Sequence, residues 1–118
     1  MPQAGKLKWD LRESNGVLVV DLAGDVTLGQ ETAALRQFLR SKLEENRRRI
    51  LLNFRSVSFM DSTGIGVLME AKAHAVGIQA QLRLSDVPTF VEKILRRMAL
   101  HQILEVYATE SEALAGWN

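Results

Sequence analysis

Between a short apolar run, Ile50-Leu51-Leu52-Asn53-Phe54, and a helix-periodic segment lies the stretch SFMDSTGIGV, residues 58–67. This junction constrains the fold more than any other part of the chain. A continuous apolar run of strand length suits a strand covered on both faces, and a helix placed directly after it belongs to a crossover unit of a parallel sheet. At the start of that helix the first backbone N–H groups have no intrahelical acceptor, so Asp61, Ser62 or Thr63 can cap them with a side-chain oxygen. Gly64 and Gly66 leave the first turn bare and approachable by another backbone.

The rest of the chain supplies matching units. Leu7, Trp9 and Leu11 alternate with polar residues over 7–12, the period of a half-buried strand. Ser14-Asn15-Gly16 is a hairpin turn, and Val17 to Leu22 is a central strand that ends at Gly24-Asp25 and pairs antiparallel with the first. From Leu28 to Glu45 the positions Leu35, Phe38, Leu39 and Leu43 form the apolar stripe of an amphipathic helix. Arg47-Arg48-Arg49 follows, reading as cations that complement the negative end of that helix's dipole. After the junction, Ile65, Leu68, Met69 and Val76 face inward and Gly77 stands where a left-handed cap is wanted.

Gln79 to Leu84 alternates as a fourth strand, and Pro88 fits the first turn of the next helix, whose stripe is Phe90, Val91, Ile94, Leu95 and Met98. Ile103 to Tyr107 is a last strand, and Thr109 with Glu112 has capping-box spacing for a final helix ending near Trp117. The expected fold is α/β in the order β-β-α-β-α-β-α-β-α, a mixed, mostly parallel sheet with four helices. Its core includes Val19, Leu22, Leu35, Leu39, Leu52, Leu68, Ile94 and Leu95. A chain of 118 residues fits one domain, 1–118.

Chemistry is argued against more than for. Cysteine is absent, which removes thiolate nucleophiles and thiolate metal sites and suits a reducing compartment. Only His74 and His101 could activate a nucleophile; His74 is three helical turns from Ser62 and reads as an exposed polar residue, and His101 lies in a connection. Ser62 has Met60 rather than glycine two residues before it, so it is not a nucleophile elbow, and no lysine follows Gly64-Ile65-Gly66-Val67 to make a phosphate loop. Asp61 also resembles a receiver phospho-acceptor, but the acidic pair that would hold magnesium is reduced to Asp25. No metal, no cofactor and no enzymatic activity are expected. A net charge of +1 argues against direct nucleic-acid binding. Apolar runs far short of a membrane span, with no secretion signal, argue for a cytoplasmic protein without membrane insertion.

Taken together, Ile50–Phe54, the run Ser58-Phe59-Met60-Asp61-Ser62-Thr63-Gly64-Ile65-Gly66, Gly24-Asp25-Val26 before it and Pro88-Thr89-Phe90 after it resemble the STAS domain of bacterial anti-sigma factor antagonists. The resemblance covers nearly the whole chain, and its most specific part is Asp-Ser-Thr-Gly-x-Gly. It implies phosphorylation of the hydroxyl residue directly after the aspartate, Ser62, with Thr63 as second choice. It implies a partner surface including Asp25, Asp61, Ser62, Thr63, Gly64 and Gly66. The partners it implies are an anti-sigma factor that is also a serine kinase, bound by the unphosphorylated form so that the sigma factor is freed, and a serine phosphatase that resets the cycle. ATP would belong to the kinase, and the chain itself would be a monomer or weak homodimer. The other reading is a STAS interaction subunit of a different assembly, such as a stress-sensing complex or a lipid-transport system.

Overall fold

The computed structural model describes residues 5–117. Strand β1 (Lys8–Ser14) turns through Asn15 and Gly16 into β2 (Val17–Val26), followed by α1 (Gln30–Glu44), β3 (Arg49–Met60) and α2 (Ser62–Gly77). Then come β4 (Gln81–Ser85), α3 (Thr89–Arg97), a 3₁₀ turn (Leu100–Gln102), β5 (Glu105–Tyr107) and α4 (Glu110–Leu114). The five strands lie in the order β1-β2-β3-β4-β5. β1 and β2 are antiparallel and every later pair is parallel, as the βα alternation requires. Asn15 and Gly16 take the positive φ of 49° and 82° that a tight hairpin needs.

The two faces of the sheet are covered unequally. Leu18, Val20 and Leu22 of β2, Ile50, Leu52 and Phe54 of β3, and Leu82 and Leu84 of β4 pack under α1, α2 and α3 in the larger core. The opposite face carries a smaller core of Val17, Val19 and Leu51 beneath Ala113 and Trp117. Of the expected core residues all are buried except Ile94, which is half-buried against the larger core. Leu11, Val76 and Met98 are exposed, because the first lies on an edge strand and the other two on the outer sides of their helices.

Both central strands run further than their apolar patterns suggest. β2 continues to Val26 and β3 to Met60, with irregularities in their pairing between Asp21 and Ala23 and between Gly24 and Asp25. At each, β3 holds one residue more than β2, which breaks the period-two pattern and hides the strand from a sequence reading. Gly24 has a φ of 96°, and a Cβ there would lie 2.5 Å from the carbonyl oxygen of Lys6, so the chain before β1 can cross β2 only at a glycine.

Helix ends depart from expectation in several places. The left-handed residue after α2 is Gln79 (φ 61°), not Gly77. The N–H of Ala80 bonds to the carbonyl of Ala75 at 2.8 Å and that of Gln79 to Val76 at 3.2 Å, a Schellman closure two residues later than the glycine. The arginine cluster does not serve the end of α1. Arg47 bonds Glu13 on β1 at 2.7 Å, and Arg48 donates to the Ile78 carbonyl at the end of α2 at 3.2 Å. Pro88 sits at the N-cap of α3 rather than inside its first turn. β5 begins at Glu105 and leaves Ile103 exposed, and α4 stops at Leu114, three residues before the buried Trp117.

Candidate functional site at the start of helix α2

The junction between β3 and α2 is built around Asp61. Its backbone is extended (φ −110°, ψ −172°), and its Oδ1 accepts the N–H of Gly64 at 3.1 Å, which makes Asp61, rather than Ser62 or Thr63, the N-cap. Oδ2 accepts the N–H of Leu28 at 3.0 Å, so one carboxylate closes the helix start and holds the loop between β2 and α1 against it. The Asp61 N–H donates in turn to the Val26 carbonyl at 3.3 Å. Partial burial works to raise the pKa of Asp61, but the N–H groups of Leu28, Gly64 and Thr63 outweigh it and hold the group below its ordinary value.

Ser62 is the first helical residue and is exposed, and its hydroxyl has no hydrogen-bond partner among the described residues. Thr63 is half-buried. The two glycines differ. Gly64 is buried, and a Cβ on it would come within 2.3 Å of the Val26 carbonyl oxygen and 2.9 Å of the Met60 side chain. The backbone that approaches it is the chain's own, so Gly64 packs beneath the turn. Gly66 is exposed and meets nothing within 4 Å. Asp25 is half-buried on β2, opposite Phe59 of β3, and its Oδ1 is buried without a hydrogen-bond partner among the described residues. The structure thus joins Asp61, Gly64 and the Val26–Leu28 segment through direct contacts; Asp25 adjoins that segment and makes no bond to Asp61 or Ser62.

Two large apolar residues adjoin the site. Leu28, whose N–H is bound by Asp61, is 80% exposed, and Phe59, two residues before Asp61, is 51% exposed with its ring stacked on Phe90 at 6.5 Å. α1 begins at Gln30, which leaves Leu28 in the loop before it, and the β3 irregularity falls between Val57 and Phe59.

The site lacks the groups that metal chemistry needs: among the described residues no cluster of three His, Asp or Glu could hold an ion. No helix among them is long and apolar enough to cross a membrane. What the arrangement offers is an accessible hydroxyl on a rigid turn.

Comparison with known proteins gives a fold and a family. The chain is 26% identical over 110 residues to an anti-sigma F factor antagonist of Paenibacillus polymyxa, an alignment covering 92% of each chain. An anti-sigma factor antagonist from Mycobacterium paratuberculosis superposes with a TM-score of 0.79 at 19% identity, over 92% of both chains. The Bacillus cell fate determinant SpoIIAA in its phosphorylated form superposes with a TM-score of 0.75 at 20% identity, over 94% of this chain and all (100%) of that one. At these identities the structural likenesses speak for the fold. A model of the STAS domain family matches residues 8–113, from the first strand into the last helix, and the chain belongs to that family.

Proposed function

We propose that the protein is a phosphorylation-switched binding module of the cytoplasm. In this reading its unphosphorylated form binds an anti-sigma factor that is also a serine kinase, the sigma factor is released, and transcription is activated. The kinase phosphorylates Ser62 and a serine phosphatase reverses the mark. The likeness to anti-sigma factor antagonists supports the role. The observation that carries the switch is local: Ser62 is exposed and unbonded at the first position of α2, while the aspartate beside it does the capping. A hydroxyl needed for capping could not be modified without opening the helix; this one can.

The proposed binding surface is the turn Asp61–Thr63 with Gly66, flanked by Asp25, Leu28 and Phe59. Gly64 lies beneath it. A phosphate on Ser62 adds about −1.5 to −2 charges, and the free N–H groups of the helix start can receive it in the uncomplexed protein. In a complex the same phosphate stands next to Asp61 and against the partner. At about 5 Å and an effective dielectric near 20, each pair of like unit charges costs about 3 kcal/mol, enough for roughly two decades of affinity per pair. The fold is left intact and the complex is lost.

The test is to incubate the purified protein with its kinase and ATP, map the modified residue by mass spectrometry, and measure kinase binding by calorimetry. Ser62→Ala is expected to fold, bind and resist modification. Ser62→Asp is expected to bind at least tenfold more weakly. Phosphate on a residue outside the Ser62-Thr63 pair, or unchanged affinity of Ser62→Asp, removes the switch and leaves the family assignment standing.

A further inference from the structure

Strand β1 forms one edge of the sheet. Its hairpin closes with Ser14 opposite Val17 across two residues of positive φ, a geometry in which the closing pair exchanges both ladder bonds. Counting back by two, Arg12, Asp10 and Lys8 also bond to β2, so the N–H and C=O groups of Trp9, Leu11 and Glu13 point away from the sheet. Such an edge is a template for another strand unless something blocks it. β1 contains no proline, and its middle outward residue, Leu11, is apolar and 47% exposed.

The edge is also complementary to itself. When a second β1 is laid antiparallel about Leu11, each Leu11 meets the other, each Asp10 lies opposite an Arg12, and Lys8 lies opposite Ser14. Directly opposed residues share a face and touch. A shift of the centre by one residue sets Asp10 against Asp10 or Arg12 against Arg12, and like charges in opposed positions destabilise a pair. Asp10 is exposed and forms no ion pair among the described residues. Arg12 is already fixed in place, by Asp21 through Nε and Nη2 and by Glu110 through Nη1 and Nη2. Those bonds leave one of the five guanidinium N–H groups, on Nη1, for a further acceptor.

We propose that the protein pairs reversibly with a second copy of itself through β1, antiparallel and centred on Leu11, so that two five-stranded sheets become one. The contact is a single strand wide, and interfaces of that size are weak and concentration-dependent.

Sedimentation equilibrium over a wide concentration range tests this on the full chain. The wild type is expected to show a monomer–dimer equilibrium. Leu11→Pro removes an N–H that β2 does not use, so it is expected to keep the circular dichroism of the wild type and weaken the dimer at least tenfold. Leu11→Lys, which places like charges at the centre, is expected to do the same and stands in should the proline variant fail to fold. The sequence has no cysteine, so a single introduced thiol reports the register. In Leu11→Cys the two Cα atoms would be about 5.5 Å apart, within disulfide reach, and mild oxidation is expected to give a covalent dimer. In Lys8→Cys they would be about 20 Å apart, and only background cross-linking is expected. A wild type that stays monomeric throughout, a dimer indifferent to Leu11→Lys, or cross-linking equal at the two positions overturns the proposal.

Discussion

Asp61 divides its carboxylate between two segments that are far apart in sequence. One oxygen caps α2 at Gly64 and the other holds Leu28, 33 residues earlier. An N-cap is worth about 1 kcal/mol and a hydrogen bond to a charged group about 1.5–3, so Asp61→Ala should cost about 2–3 kcal/mol in urea denaturation at neutral pH. Asp61→Asn keeps an acceptor for the cap and loses the charge, and should cost less. The pH dependence follows from the direction of the shift. The folded pKa of Asp61 lies below its ordinary value, so the charged form stabilises the fold above the unfolded pKa, and that contribution disappears as pH falls through the folded one. The stability gap between wild type and Asp61→Asn should therefore narrow in acid, below about pH 4. A gap that persists undiminished there would show that the carboxylate's charge is not what holds Leu28.

At the scale of the element, α2 presents a buried glycine and an open one two residues apart, and they should respond oppositely to substitution. Gly64→Ala drives a methyl into the Val26 carbonyl and should destabilise the domain by about 1–3 kcal/mol, the usual range for overpacking. Gly66→Arg meets nothing; it should leave the thermal midpoint within a few degrees of the wild type and weaken binding of the proposed kinase partner by steric exclusion. Equal loss of stability from both would place Gly66 in the packing and remove it from the proposed surface. The contrast also marks how far sequence alone reaches. The alternation of strands and helices, the hairpin at Asn15-Gly16 and the stripe Leu35, Leu39, Leu43 were legible, because period and turn chemistry are local properties. The direction of Gly64 was not, because it is set by Val26, a residue on another strand. The continuation of β3 through Arg55–Met60 was masked by bulges that break the period-two pattern. The exchange of roles by Arg47 and Arg48 was invisible for the same reason as Gly64: Glu13 and the Ile78 carbonyl reach them only after the sheet has formed.

At the scale of the molecule, the sheet's less-covered face depends on a short C-terminal segment that could not hold itself in place. α4 has five residues, too few for a helix stable on its own, and Thr109 caps it through the N–H of Glu112 at 3.1 Å. Three further attachments fix it to the sheet. Glu110 accepts from Arg12 at 2.6 Å and from Asn53 at 2.9 Å, Arg83 donates to the Ala113 carbonyl at 2.7 Å, and the indole N–H of Trp117 donates to Gln81 at 2.6 Å. Arg83 also lies over the Trp117 ring, 4.2 Å from its centroid. Of these groups only Glu110 is a carboxylate. Its hydrogen bond from Arg12, aided by that from Asn53 and opposed by partial burial, holds its pKa below the ordinary value. Its contribution is therefore complete above the unfolded carboxylate range and lost as pH falls through the folded pKa. Glu110→Gln retains the size and one acceptor but not the charge facing Arg12, and should cost about 1–3 kcal/mol, the range of a charge-assisted hydrogen bond. Because α4 and Trp117 cover, among the described residues, the small core of Val17, Val19 and Leu51, the loss should show first as local opening: red-shifted Trp117 fluorescence and faster amide exchange in α4 before β3 or α2 lose protection. With Trp9 replaced by Phe so that Trp117 reports alone, the variant at neutral pH should resemble the wild type in acid. If Glu110→Gln instead lowers protection uniformly across both faces, the C-terminal segment unfolds only with the whole domain, and the two cores form one cooperative unit.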